Sequence, residues 1–502
     1  MKAATYMRLA MTAVFVVTPN AYFAQTSHTF GLPHVFGDHM VLQSNRPVPV
    51  WGWAEPGDTI VVSFAGERKV TTAAAKDGTW SVALDPMKPS FHPEDLIVTG
   101  RQTLIFHDVL VGEVWLCSGQ SNMQKPLGTW RGQPVPTINF ERELSAANYP
   151  ALRLLNTEIA ETPTPARDLQ TTTRPNPDYP WLGWVATTPS SLDEAKFSAV
   201  CYFFGRKLHN DLNVPVGLIE ATAGGTHIEA WMPSSAFSTD PDLADWAEAA
   251  KTPSVQHEGT RVTTLYNGMI APLVPYSISG VLWYQGESNV YNQDGAIYAH
   301  KQEALIESWR KAWGSDLPFY FVQLPPLLYS VTRSQYVHSA EVEPIFWEAQ
   351  SATLRLPHTG MVVTTDVGDP TNIHTPHKKE VGERLALVAE AKVYGRKVEY
   401  SGPVFRSMKI KGGRAILRFD HAAGGLISID GKPLNWFTIA SEGGKFLPAA
   451  ATIHGDTVVV SNDDIKKPAR VRFAWSEAAT PNLFNKAGLP ASPFRTDNPF
   501  TR

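Results

Sequence analysis

The sequence predicts an α/β protein whose central parallel sheet, with helices on both faces, is flanked on either side by β-rich regions. Two observations carry this reading. Between residues 109 and 400, apolar strand-like runs alternate with amphipathic helical segments, the pattern of a parallel sheet. Before and after that stretch, short runs of β-formers are broken by turn residues. Composition agrees, since 36 Gly and 39 Pro among 502 residues suit β-regions and long loops better than a helical bundle.

In chain order, Lys2 and Arg8 precede the apolar run Leu9–Val17, and small residues follow at Ala21 and Ala24. This reads as a secretory signal peptide over residues 1–24, too short for a bilayer span. The mature protein is expected to be periplasmic or extracellular, without stable membrane insertion. Residues 25–108 read as a β-sandwich-like domain, with Asp77-Gly78 as a hairpin signal and Trp51 and Trp53 on one strand-like run. Residues 109–400 hold strands near Val111–Leu116, Val216–Ile219, Val281–Tyr284, Phe319–Leu324 and Met361–Thr365. Helical spacing links Phe197, Val200, Phe204, Leu208 and Leu212, and again Leu305, Trp309 and Trp313 ahead of Gly314. From 401 to 502 β-patterning returns, as in Ala415–Phe419 and Thr457–Val460.

Lys and Arg number 44 against 48 Asp and Glu, a formal net charge of −4, so the basic footprint of a nucleic-acid binder is missing. Two cysteines exclude a disulfide framework and a multi-cysteine zinc module. Cys117 and Cys201 read as two packed thiols, with pairing after export as the alternative. Oligomeric state is left open.

Ligands of a parallel α/β sheet bind beyond the carboxyl ends of its strands, and the strand ends here are unusual. The first runs into Ser118-Gly119-Gln120-Ser121-Asn122-Met123. Gly119 permits a tight turn, and Ser121 then opens a helix, where a nucleophilic hydroxyl can use its own N–H for the oxyanion it creates. Met123 departs from a Gly-x-Ser-x-Gly elbow. A plain N-cap is the bland alternative for Ser118 or Ser121. The second strand ends in Gly224-Gly225-Thr226, where glycines allow close backbone approach, or an ordinary turn. The third ends in Gln285-Gly286-Glu287-Ser288-Asn289, where Gln285 and Asn289 are candidate oxyanion donors and Ser288 a rival nucleophile. The fifth ends in Asp366-Val367-Gly368-Asp369, followed by His374-Thr375-Pro376-His377. A histidine ahead of a helix with acids upstream fits a base and its orienter. Capping or solvent roles compete for His374 and His377, and a metal site is a weak third reading at generic spacing.

Together Gly119–Met123, Gly224-Gly225-Thr226 with Glu229-Ala230-Trp231, Trp283–Asn289, and Ile373-His374 ahead of Val381–Ala386 resemble the sialate O-acetylesterase family of SGNH-type (GDSL-like) hydrolases. Val471–Trp475 and Gly488–Pro490 extend the resemblance over most of the chain. It implies a three-layer flavodoxin-like catalytic domain and hydrolysis of O-acetyl esters on sugars, with no metal or organic cofactor. Carried over by position, Ser121 is the nucleophile and His374 the base. Ser121 N–H, Gly225 N–H and the side chain of Gln285, or else Asn289, form the oxyanion hole. The SGNH pattern has Asp three residues before the histidine, where this chain has Thr371. The acid role therefore falls to Asp369, with Asp366 second and a Ser–His dyad third. A histidine base of ordinary pKa gives an acidic limb at about pH 6–7.

The expected partner is an acetylated glycan of plant type, xylan or xyloglucan, with Trp130, Trp181, Trp184 and Trp231 as stacking candidates or packed core. Sialate is the alternative substrate, recognised through Arg131, Arg153 or Arg174. A non-catalytic carbohydrate-binding protein on a hydrolase scaffold is the rival class.

Overall fold

The computed structural model describes residues 30–73, 76–130, 135–171, 182–238, 240–332, 336–422 and 424–501. The signal-peptide reading lies outside them, as do Trp181, Arg131 and Arg174. Among the described residues no helix is long and apolar enough to cross a membrane.

The N-terminal region pairs β2 (Val48–Trp53) with β5 (Thr79–Leu84) against a second layer. That layer contains β1 (Val41–Gln43), β3 (Thr59–Phe64), β4 (Glu67–Thr72), β6 (Ser90–Thr99) and the first half of β7 (Thr103–Gly119). Alternating burial along β2 puts Val48 and Val50 inside and Trp51 and Trp53 half-buried outside. β7 is continuous for 17 residues and continues as the central strand of the next region. The boundary expected between 108 and 109 falls inside it, at Asp108, whose backbone turns left-handed at φ +56. The Asp108 carboxylate accepts from Arg153 Nη1 at 2.6 Å, so Arg153 is buried under this kink.

After β7 come α1 (Ser121–Gln124), β8 (Tyr149–Asn156), β9 (Trp184–Thr187), α2 (Ala199–Leu212) and β10 (Val216–Thr222). Then follow β11 (Gly280–Tyr284), α3 (Glu287–Tyr291), α4 (Ile297–Trp313), β12 (Phe319–Val322), α5 (Val342–Ala352), β13 (Thr359–Val362) and α6 (Lys378–Lys392). The sheet order is β13-β12-β11-β7-β10-β8-β9, parallel except for β9. Its strands are buried on both faces, as β10 and β11 show at every position. On one face Phe204 of α2 meets Trp115 at 5.0 Å between ring centroids, and on the other Trp309 of α4 meets Trp283 at 6.0 Å. This is the three-layer α/β arrangement expected. α4 stops where Gly314 adopts φ +62.

Residues from Val404 onward form two four-stranded antiparallel sheets over a second apolar cluster that includes Leu417, Ile439, Val460 and Phe473. Arg495 joins this region to Glu348 of α5 at 2.7 Å.

Cys117 of β7 and Cys201 of α2 are joined in a disulfide with Cα atoms 6.1 Å apart, which corrects the reading of two packed thiols. Both are fully buried, and a strand end faces a helix start here, a proximity that a separation of 84 residues conceals. Closing a loop of that length removes unfolded-state entropy worth about 4–5 kcal/mol. Cys117→Ala/Cys201→Ala should therefore unfold at lower denaturant and lower temperature. An unchanged urea midpoint would show that the cross-link contributes nothing.

Candidate active site

The turn from β7 to α1 is dictated by sterics. Gly119 sits at φ +137, and a Cβ there would lie 2.1 Å from the Tyr284 carbonyl oxygen of β11. Gln120 N–H donates to that same carbonyl at 3.0 Å, so the two strand ends are clamped together. Ser121 follows as the first residue of α1. Met123 and Gln124 N–H bond back to the Gln120 carbonyl, whereas Ser121 N–H has no partner among the described residues.

β10 delivers Gly224 and Gly225 beside the serine. A Cβ on Gly224 would lie 3.3 Å from Ser121 Cβ. Gly224 N–H donates to Gln124 Oε1 at 3.0 Å, while Gln124 Nε2 donates to the Thr222 carbonyl at 3.1 Å. One glutamine side chain thus holds the glycine turn against α1. Gly225 sits at φ +73, and its N–H has no partner among the described residues. Two unpaired backbone donors, Ser121 N–H and Gly225 N–H, therefore flank the serine.

Gln285 and Asn289 are placed differently from expectation. Both are fully buried. Gln285 Nε2 donates to Gln120 Oε1 at 3.1 Å, the Thr226 carbonyl at 3.0 Å and Asn289 Oδ1 at 2.7 Å. Asn289 accepts from Ile228 N–H and donates to Asp294 Oδ2 at 2.7 Å. Beneath it Lys301 pairs with Glu229 and with Asp294 at 2.7 Å. Burial and the neighbouring Glu229 charge push the Asp294 carboxyl up to about 6. Both amides spend their hydrogens on protein acceptors, which gives them a bracing role between the strand-end loops. Ser288 is half-buried on α3, with its N–H at 3.5 Å from Gln120 Oε1.

Asn122, which the sequence reading quoted without assigning a role, is the junction of the site. Its Nδ2 donates to Glu287 Oε1 at 2.5 Å and to the Ile373 carbonyl at 2.9 Å. Its Oδ1 accepts from Lys378 Nζ at 2.6 Å, and the same ammonium donates to the Asn122 carbonyl at 3.1 Å. One amide thereby ties α1 to α3, to the start of α6, and to the residue before His374. Glu287 and Lys378 are buried at 2% and 0% exposure. Burial raises the Glu287 carboxyl and drives the Lys378 ammonium well down, so desolvation pushes each toward its neutral form. Lys378 had no signal in the sequence, because a helix-start lysine is ordinarily solvated.

His374 lies half-buried on this anchored loop, its backbone N–H held by Asn372 Oδ1 at 3.0 Å. Its Nε2 is buried with no partner among the described residues. Ser121 Oγ and His374 share no hydrogen bond. Burial, with added repulsion from Lys378 and Lys125, drives the His374 imidazole down to about 4.

Neither candidate acid reaches His374. Asp369 is exposed, and its carboxylate accepts from Thr371 N–H at 2.8 Å and Thr371 Oγ1 at 2.7 Å, closing a local turn. Asp366 forms a two-pronged pair with Arg384, at 2.7 and 2.5 Å. Asp369, five residues before the histidine rather than the three of the SGNH pattern, is turned onto its own loop by its bonds to Thr371. His377 pairs with Glu380 at 3.2 Å at the N-cap of α6, which begins at Lys378.

The proposed stacking tryptophans are core: Trp130, Trp184 and Trp231 are at most 5% exposed. Trp184 Nε1 donates to the Val35 carbonyl and Trp231 Nε1 to Thr226 Oγ1. Among the described residues, one group could hold a metal ion, namely Asp240, Asp242 and His300. His300 Nδ1 there already bonds Asp240 at 2.6 Å, and the group shares no residue with the Ser121 site.

Residues 111–390 match the family described as carbohydrate esterase, sialic acid-specific acetylesterase. The chain is 30% identical to sialate O-acetylesterase of Mus musculus, over 94% of this chain and 96% of that one. It is 31% identical to sialate O-acetylesterase of Homo sapiens, over 93% of this chain and 92% of the relative. The crystal structure of a carbohydrate acetylesterase from Xanthomonas citri superposes with a TM-score of 0.81 at 36% identity, covering 93% of this chain and 99% of that one.

The geometry predicts a contrast between two substitutions. Asn122→Ala strips partners from two buried ionisable groups and should cost about 3 kcal/mol in denaturant unfolding. The released His374 loop should also lower kcat on nitrophenyl acetate by about 100-fold. Asp369→Asn should keep kcat within about threefold, where loss of an orienting acid costs about 10⁴. A collapse of kcat in Asp369→Asn would restore it as the triad acid.

Proposed function

This chain belongs to the carbohydrate esterase, sialic acid-specific acetylesterase family and is a carboxylic ester hydrolase, and we propose that it deacetylates plant-type polysaccharides or their oligosaccharides through a Ser121–His374 dyad. The observation that carries the mechanism is the pair of unpartnered N–H groups, Ser121 and Gly225, beside the serine at the carboxyl end of β7. His374 Nε2 takes the Ser121 proton as Oγ attacks the acetyl carbonyl. The two N–H groups bind the oxyanion, each donor lowering the barrier by about 3–4 kcal/mol. The imidazolium then protonates the leaving sugar oxygen, and a water molecule activated by His374 releases acetate from the acyl-serine.

Export to an oxidising compartment fits the Cys117–Cys201 disulfide and the character of residues 1–24. There, structural glycans are available substrates. Arg153, one of the arginines considered for a sialate carboxylate, is committed to Asp108 beneath the N-terminal layer, which weakens that alternative.

Because the imidazole is held down near 4, it remains a neutral base until the pH falls through that value. The acidic limb of kcat/KM should accordingly lie near pH 4, lower than an ordinary histidine gives; a limb at about 6.5 would mean that His374 is not the base, or not so buried. The substrate proposal is tested by acetate release from acetylated xylan, acetylated xyloglucan oligosaccharides and 9-O-acetyl sialic acid at equal ester concentration, with Ser121→Ala as the blank. Plant glycans should give the higher kcat/KM, and Ser121→Ala should lose several orders of magnitude. Preference for the sialate ester over every plant substrate would overturn the assignment.

A further inference from the structure

A second cleft, of about 460 Å³, lies between the N-terminal β2–β5 ribbon and the catalytic region. That volume is within the usual range of small-ligand sites. The antiparallel register sets Trp51 opposite Ser81 and Trp53 opposite Thr79, so two indoles and two hydroxyl side chains share the outer face of the ribbon. Both indoles are half-buried, and neither N–H has a partner among the described residues. Trp51 leans on Phe36 in a T-shaped contact at 4.8 Å, which fixes its plane. Trp80, between Thr79 and Ser81, alternates to the inner face, where it is 4% exposed against Gly52 and supports the ribbon from below. Arg167 is the one charged side chain among the residues lining the cleft.

We propose that this cleft is a non-catalytic binding site for the sugar rings of a neutral glycan chain. A pyranose ring offers polarised C–H bonds on one face, which suit the electron-rich face of an indole. Its hydroxyls suit the free indole N–H groups and the Ser81 hydroxyl. The scarcity of charge in the lining matches an uncharged polymer. The site is remote from the chemistry. Pro275 of its wall precedes β11, whose first residue Gly280 pairs with Trp115, whereas its last, Tyr284, pairs with Gly119 beside the serine. The cleft therefore opens at the strand-entry end and cannot share a bound sugar ring with Ser121. It holds the enzyme on its polymer, and it rests on the carbohydrate-esterase reading only for the choice of glycan.

The test is binding of the full chain to fully deacetylated xyloglucan and xylan, by affinity electrophoresis and calorimetry, so that ester hydrolysis plays no part. The wild type should bind at least one polymer. Trp53→Ala and Trp51→Ala should weaken binding at least tenfold, whereas Trp53→Phe should retain most of it and confirm that the fold survives. All three variants should hydrolyse nitrophenyl acetate within twofold of wild type, and the alanine variants should show a raised KM on the acetylated polymer at unchanged kcat. Wild-type affinity for both polymers in the alanine variants would overturn the proposal, as would no binding by the wild type. A shift from dimer to monomer on Trp53→Ala, without loss of glycan binding, would also overturn it, making the cleft an interface between copies.

Discussion

The active site depends on a single side-chain amide. Asn122 presents its NH₂ to the Glu287 carboxyl and a carbonyl and its oxygen to the Lys378 nitrogen, so acceptors on one side and a donor on the other fix its orientation. The partners come from two strand–loop–helix units other than its own, Glu287 from the one that follows β11 and Ile373 and Lys378 from the one that follows β13. Hydrogen bonds to charged groups in a dry interior are strong, and an unpartnered charge there is costly, so the arrangement has few alternatives. The position of the histidine loop relative to α1 follows from this junction rather than from direct contact between Ser121 and His374.

The electrostatics around that junction differ from those of a triad. A carboxylate beside a histidine raises its pKa and stabilises the imidazolium; here the nearby Lys378 and Lys125 do the reverse. As the proposed base, His374 is weaker but is present in its neutral form over a wide pH range. Glu287 favours the charged form of Lys378, against the burial and the Lys125 charge that press it down. On the proposed mechanism, protonation of the imidazole is opposed by these cations, and stabilisation of the transition state falls mainly on the two backbone donors.

Much of this was legible in the sequence, for identifiable reasons. Strand–helix alternation located the sheet, and the rule that ligands bind beyond strand ends brought Ser121, Gly225 and the Gln285–Asn289 block into one neighbourhood. Direction was not legible. Asp369 stands five residues before His374, yet its turn with Thr371 aims the carboxylate away. Gln285 and Asn289 have the right chemistry for an oxyanion hole, but their donors are taken by Gln120, Thr226 and Asp294, partners distant in sequence or set by the fold of the turn. Burial was equally hidden. Trp184 and Trp231 look in sequence much like Trp51 and Trp53, and only packing separates core from cleft. The disulfide eluded the reading because two cysteines give no spacing pattern.

β7 changes what counts as a domain in this protein. Its first half belongs to the N-terminal β-layer and its second half is the strand that carries the serine, with only the Asp108 kink between them. Where the two meet, the buried Glu113 carboxylate accepts from Ser44 and Gln43 of the N-terminal region and from Ser279 and Tyr394 of the catalytic region. Cutting the chain at residue 109 would strip that carboxylate of its Ser44 and Gln43 partners, bare the apolar side of the central strand, and remove the anchor of Arg153. The N-terminal region is thus not an appendage that a lineage could shed or an engineer could swap. It is part of the foundation on which Ser121 stands, so a change in the packing of one region is felt by the other.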